Sequence, residues 1–388
     1  MKKKVVSIIL VVSFLMMVLA GCTGSSTDVS SSSKGDDKVI KIGQVVHMTG
    51  NAVESGGYEK NGADLAVEEI NAAGGVNGYK IELVQEDGKS TNPGVVSAFQ
   101  KLIEDKEMVA VIGPSPSVQV AAMLPTINEA EIPVFTGGTN VSLTDSGCEW
   151  LFRMRPHDGY SAKAMVQFTI EDLKAKKIAI VHSTDSFGTA GAERVVAELK
   201  ESGISPVLIQ GYNNDEKDFT GVISNIKQSG ADAMVAYFTL SPDLGIFAKQ
   251  RKQQGLDIDW VSSPSIFAVA GRELAGDALY GTYGVADFHP EATEEAKEYT
   301  SRYREKFGVE PDFYSAWTYD SVYVFAEVIK NIPEITPAAI RDGIFKIQNF
   351  KGAIGTYNFD EKGDGLKHYH IVVNDSDTLK VVKTIEGE

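Results

Sequence analysis

The sequence predicts an α/β fold of two lobes, each a mostly parallel sheet flanked by helices. Three observations carry this reading. From Val39 onward, short apolar strands alternate with amphipathic helices, the pattern of parallel strands joined by helical crossovers. The alternation comes in two runs of similar size, which repeat as architecture and not as sequence. And 388 residues, at about 150 per domain, leave room for two hydrophobic cores.

The first run opens with a strand over Val39–Val46 (VIKIGQVV). A loop bearing Gly, Ser and Thr follows over Met48–Gly57, then a helix over Tyr58–Ala73. In that helix Ala63, Ala66, Val67 and Ile70 fall at i, i+3, i+4 and i+7, one stripe to bury. Gly74-Gly75 ends it, because glycine accepts the left-handed conformation a helix terminus needs. The cycle continues with strand 80–85, helix 95–104, strand 108–113, helix 118–130 and strand 133–136. Trp150–Pro156 (WLFRMRP) marks the first passage between lobes. The second run places helices at 160–173, 190–202, 219–228 and 243–255. Its strands are expected at 177–182, 206–210 and 233–239.

Ahead of the fold, Lys2, Lys3 and Lys4 precede an apolar run over Val5–Ala20. That run is short for a membrane span, which needs about 20 apolar residues, and describes a secretory signal peptide. Leu19-Ala20-Gly21-Cys22 resembles the bacterial lipobox, in which the cysteine is lipidated and the chain is cut before it. The plainer alternative is an ordinary signal peptide with an incidental cysteine. On the lipobox reading, residues 1–21 are removed and 22–38 form a lipidated, flexible tether rich in Ser, Asp and Gly. The protein is then exported and held to the membrane through lipid on Cys22. Cys148 is expected to be a small buried core residue.

Fifty-three acids against 37 bases give a formal net charge of -16, so nucleic acid is not an expected partner. Two cysteines exclude a disulfide framework and a four-thiolate zinc site. No G-x-G-x-x-G turn joins a strand to a helix; Gly188-Thr-Ala-Gly191 has the wrong spacing. Neither a G-x-x-x-x-G-K-[ST] loop nor a G-x-S-x-G elbow occurs. His368 and His370 share one face of a strand, either as a metal pair or, more plainly, on a solvated strand. No enzyme, cofactor or metal is expected.

What remains are polar loops at strand ends, where open α/β sheets bind ligands. Pro114-Ser115-Pro116-Ser117 leads from a strand into a helix, and Ser117 stands at the N-cap position. Its hydroxyl either caps that helix or meets a ligand. The next strand ends at Thr136-Gly137-Gly138-Thr139-Asn140. Two such loops can converge on one small anion, a carboxylate by expectation.

Val39–Lys383 resembles the type I periplasmic-binding-protein fold, in the branched-chain amino-acid-binding family that feeds ABC importers. The passages that carry the resemblance are Thr49-Gly50, Asn61-Gly-Ala-Asp-Leu-Ala-Val-Glu-Glu-Ile-Asn-Ala-Ala-Gly-Gly75 and Val111-Ile-Gly-Pro-Ser-Pro-Ser117. Further on come Lys177–His182 with Phe187-Gly188, Glu216-Lys-Asp-Phe219 and Tyr357-Asn-Phe-Asp-Glu-Lys-Gly-Asp364. The family implies two Rossmann-like lobes joined by three crossings, the second near Gly284–Ala286 and the third near Gly355–Phe359. Lobe one is then 39–154 with 287–356, and lobe two is 155–286 with 357–388. A monomer is implied, closing on a small-molecule ligand that it passes to an importer permease.

The family's carboxylate clamp maps onto Ser117, Gly138 and Thr139, with Ser115 and Pro116 on the same wall. Its aromatic contact from the second lobe maps onto Phe187. Tyr314 falls near another aromatic contact, or simply packs between the lobes. Ser55 holds a first-loop position and Leu240 a later one. The loop after Trp260-Val261 reads Ser262-Ser263-Pro264-Ser265, so Pro264 stands where amino-acid binders place the acid for the ammonium, and Ser265 joins the ligand-binding set. Either Glu54, Asp185 or Asp320 substitutes and the ligand is an amino acid, or the ligand is another small carboxylate, aliphatic or aromatic. A ligand sensor for a membrane signalling partner is the alternative role.

Overall fold

The computed structural model describes residues 38–376 and 378–386. The signal peptide, Cys22 and the tether lie outside the described residues, apart from Lys38, which opens the first strand. No helix among the described residues is long and apolar enough to cross a membrane.

The first sheet is wholly parallel. It holds β1 (Lys38–Val46), β2 (Tyr79–Asp87), β3 (Met108–Ile112), β4 (Val134–Thr136) and β5 (Leu151–Arg153), in the order β2-β1-β3-β4-β5. The helices α1 (Val53–Ala72), α2 (Asn92–Glu104) and α3 (Ser117–Ala130) connect them. Parallel strands covered on both faces read as near-continuous apolar runs, and β3 and β4 are buried accordingly. Cys148 is buried in the core that β3 and β4 share with α2 and α3.

The chain then enters a second sheet. α4 (Asp158–Gln167) runs on into a π-helical turn over Phe168–Asp172. Next come β6 (Ile178–Ser183), α5 (Ser186–Glu201), β7 (Leu208–Tyr212), α6 (Thr220–Ser229) and β8 (Ala233–Tyr237). α7 (Ser241–Gln253), β9 (Asp259–Ser262), α8 (Val269–Ala275) and β10 (Tyr283–Ala286) complete the run. The chain returns to the first core with α9 (Glu294–Phe307), α10 (Phe313–Asn331), α11 (Pro337–Ile344) and a small hairpin of β11 (Phe350–Lys351) and β12 (Thr356–Tyr357). It ends in the second sheet as β13 (His368–Asp375) and β14 (Thr378–Glu386), the two antiparallel strands of the order β14-β13-β10-β9-β8-β6-β7.

Four sequence expectations need correction. α1 begins at Val53, so the second half of the expected loop Met48–Gly57 is helical and Ser55 sits on the first turn. Its glycines suggested a loop, but Gly56 is there for packing. A Cβ on it would stand 2.0 Å from the His47 carbonyl oxygen, so the helix can approach β1 only without one. Gly62 does the same against α10, where a Cβ would meet the Ser315 carbonyl oxygen at 2.0 Å.

The strand expected over 206–210 pairs two residues later, as β7. The third return, expected near Gly355–Phe359, comes later too. Tyr357, Phe359 and Leu366 are buried in the first core, and pairing with the second sheet starts only within β13, where His370 faces Ala286. The reason is hydrogen bonding: the Tyr357 hydroxyl lies 3.0 Å from both Met154 O and Asp320 Oδ2, and Asp364 pairs with Arg153 (2.7 Å). Finally, His370 is buried, with Nδ1 2.8 Å from Thr384 Oγ1, so its strand is not solvated. No metal-binding cluster of His, Cys, Asp or Glu occurs among the described residues.

Candidate functional site

The sheet order places β1 beside both β2 and β3, a reversal that opens a crevice beyond the carboxyl ends of the strands. Segments after β1, β3, β4, β5, β6, β8 and β9 all reach one cavity. Ser115, Pro116, Ser117, Thr139 and Tyr314 line it from the first core's side, with Ser55 from α1. Phe187 and Ser265 line it from the second. Of the expected ligand residues only Gly138 does not line it.

Ser117 is not a cap. It is the first residue of α3, Pro116 holds the N-cap position, and no side chain caps the helix. The Ser117 hydroxyl instead accepts from Asn140 N (3.2 Å), fastening the loop after β3 to the loop after β4. Its own proton and the first N–H groups of α3 remain for an anion in the cavity. Thr139 sits on that second loop, with its hydroxyl against the buried Asp158 carboxyl. Its carbonyl accepts from Asp158 N (2.8 Å). The Gly138 amide donates to Thr136 Oγ1 (3.1 Å), so the turn itself consumes the donor that sequence reasoning assigned to a ligand.

The Ser115 hydroxyl is buried against the Glu59 carboxyl. Ser55 donates to Ala52 O (3.0 Å), which turns its hydroxyl toward its own helix. Phe187 presents its ring from the first turn of α5, held edge-on by Tyr237 at 5.4 Å. Tyr314 is placed by a capping box: Asp312 accepts from Tyr314 N (2.9 Å) and Ser315 N (3.2 Å). Tyr314 lines the cavity and packs on Phe313, with ring centroids 4.1 Å apart.

The substitute acids do not reach the cavity. Asp185 caps α5, accepting from Gly188 N (2.9 Å) and Asn214 Nδ2 (2.7 Å). Asp320 accepts from Ala353 N (2.7 Å) and Ile354 N (2.9 Å). Glu54 is exposed on the first turn of α1. Two other acids lie one layer behind the wall. Burial pushes Glu59, against the Ser115 hydroxyl, up to about 8, and Asp158, against Thr139, up to about 7.

Sequence reasoning missed Arg155, Phe313, Thr239 and Ala52, all of which line the cavity. Arg155 had a signal: a second cation within the apolar passage WLFRMRP.

Four contacts brace the first crossing. Arg153 Nε meets Asp364 Oδ1 (2.7 Å) and Arg155 Nε meets Asp287 Oδ2 (2.5 Å). The Tyr357 and Tyr369 hydroxyls donate to Met154 O (3.0 Å) and Pro156 O (2.9 Å). Across the rim, Asn140 Nδ2 donates to Ser186 O (3.1 Å) and Asn51 Nδ2 to Asp215 Oδ2 (2.8 Å). Two cores, a hinge of three strands and a cavity between them make the geometry of a clamp.

The comparisons with known proteins agree. The family model described as periplasmic binding protein matches residues 39–374. An "Amino acid binding protein" of Pseudomonas aeruginosa is 30% identical over 329 residues, covering 84% of this chain and 87% of its own. A leucine-binding protein of Thermotoga maritima superimposes with a TM-score of 0.83 at 25% identity, over 89% of this chain and 99% of that one. A branched-chain amino acid transporter substrate-binding protein of Streptococcus pneumoniae, in complex with isoleucine, gives 0.82 at 27%, over 89% and 100%. Fold, cavity and relatives converge on a substrate-binding protein and not an enzyme: this chain belongs to the periplasmic binding protein family.

Proposed function

We propose that the protein captures a small carboxylate-bearing solute between its two lobes and delivers it to an ABC importer permease. One observation carries the reading: the loops after β3 and β4 are stitched together by Ser117 and Asn140 at the mouth of α3, on one wall of the cavity. A carboxylate there meets hydroxyl donors and a helix N-terminus. Phe187, Thr239 and Ser265 then cover it from the other lobe as the clamp closes about the crossings. Export and a lipid on Cys22 place the clamp on the outer side of the membrane, next to its permease.

A thermal-shift panel tests this, with the twenty amino acids beside aliphatic and aromatic carboxylic acids. A ligand that binds only the folded protein stabilises it by about 2.7 kcal/mol at a hundred times its Kd. Stabilisation by at least one small carboxylate supports the reading. A panel in which every carboxylate leaves the melting temperature unmoved refutes it.

A further inference from the structure

The expected clamp handles one end of a ligand. The rest of the cavity carries one charge, and it is positive. Among the described residues that line it, Arg155 alone is ionisable with a formal charge at neutral pH; no Asp or Glu takes part. Arg155 comes from the first crossing and is 6% exposed. Its Nε is committed to Asp287 Oδ2 (2.5 Å) and its Nη1 donates to Gly137 O (3.2 Å). The guanidinium lies over the Phe313 ring at 4.2 Å. Nη2 has no partner among the described residues. The fork is therefore pinned on three sides, and Arg155 lines the cavity.

Its charge is secure. Burial works against the guanidinium cation, but Asp287 outweighs burial and holds the group charged. Asp287 itself is 0% exposed and does not line the cavity, so a ligand meets the positive end of the pair. A ligand ammonium has no such welcome. Pro264 stands on the loop where an acid was expected, and Asp185, Asp320 and Glu54 are engaged or exposed elsewhere. Glu59 and Asp158, one layer back, do not line the cavity.

We propose that Arg155 is the specificity-determining residue of this cleft, and that it selects small carboxylic acids lacking an ammonium group over the corresponding α-amino acids. The proposal rests on the carboxylate reading above and narrows it to a ligand class. An anionic group on the ligand gains the free Nη2 of a rigid donor already oriented by Asp287, Gly137 and Phe313. An α-ammonium brings a second cation beside Arg155, with no lining carboxylate to neutralise it.

The test compares acids of one skeleton by calorimetry: leucine, 4-methyl-2-oxopentanoate and 4-methylpentanoate, then phenylalanine, phenylpyruvate and 3-phenylpropanoate. The wild type is expected to bind a deaminated member at least tenfold more tightly than its amino acid. The double variant Arg155→Met/Asp287→Asn removes both buried charges, so neither partner is left unpaired. It is expected to lose about a hundredfold in affinity for that acid, as for a lost charge-assisted contact. Arg155→Lys, which keeps the charge without the fork, is expected to fall between. An amino acid that binds the wild type more tightly than its deaminated partner overturns the proposal and leaves the carboxylate reading standing. So does a folded double variant that binds the acid as tightly as the wild type. If no carboxylate binds at all, the carboxylate reading itself fails.

Discussion

Replacing Asp364 by asparagine should loosen the hinge and the ligand wall together. Arg153 is 0% exposed, and among the described residues Asp364 is the one carboxylate it pairs with, at 2.7 Å. Its other hydrogen bonds go to neutral oxygens: Asn140 O (3.0 Å), Thr144 Oγ1 (2.6 Å) and Val141 O (3.5 Å). Stripping the counter-charge from a buried guanidinium costs about 3–5 kcal/mol, and the neutral acceptors put this case at the low end, about 3 kcal/mol. Unfolding entropy of about 2.1 cal/mol/K per residue over roughly 350 residues gives about 0.7 kcal/mol/K. The expected fall in Tm for Asp364→Asn is therefore about 4 °C. Arg153→Met should cost a similar amount. The double variant should recover part of the loss, because no buried charge is then unpaired. Differential scanning calorimetry of all four proteins without ligand reads the cycle. Asn140 hangs from Arg153 and in turn donates to Ser117, so Asp364→Asn should also weaken ligand binding. An Asp364→Asn protein melting within 1 °C of the parent, by about the precision of such a scan, would refute the assignment of the pair as the hinge's electrostatic tie.

Ser117→Ala with Thr139→Val should lower ligand affinity at least about a hundredfold, as two hydrogen bonds to a carboxylate are worth about 1.5–3 kcal/mol each. The same change leaves the buried Asn140 N–H without its acceptor, costing about 1–3 kcal/mol, so the ligand-free Tm should fall too; unchanged affinity by calorimetry returns both residues to structural roles. Glu59, raised to about 8 by burial, holds its proton in the folded state, so its stabilisation is complete below its unfolded pKa and is lost as pH rises through 8. Urea unfolding between pH 5 and 8.5 should show wild-type stability falling by up to about 1.4 kcal/mol per pH unit from this group, and Glu59→Gln should flatten the slope; parallel profiles would show that Glu59 is charged throughout. Cys22→Ser should release the protein from membranes, since each buried CH₂ of an acyl chain contributes roughly 0.8 kcal/mol; a variant that stays with membranes after a salt wash rules out the lipid anchor.

The sequence by itself determined the α/β class, the two runs, and most of the loops that carry the cavity. These are local properties. Apolar runs of strand length, a helical stripe such as Ala63, Ala66 and Ile70, and polar turns at strand ends need only near neighbours to be read. The placement of Ser115, Ser117 and Thr139 on one cavity followed from those turns, because parallel strands bring their carboxyl ends to one edge, whereas Phe187 came from the family resemblance. Other features depended on residues far apart in the chain. Gly138 looked like a donor to a ligand until the turn spent its amide on Thr136. Tyr357 looked like the start of a crossing until Met154 and Asp320 held its hydroxyl in the first core. Asp185 and Asp320 were available in the sequence and already engaged in the fold. Arg155 shows the limit best: its partner Asp287 lies 132 positions away, and only their pairing turns a cation in a connecting segment into a fixed charge lining the cleft. Burial makes each such polar group find a partner, and which partner it finds is decided by packing between segments that no local pattern relates.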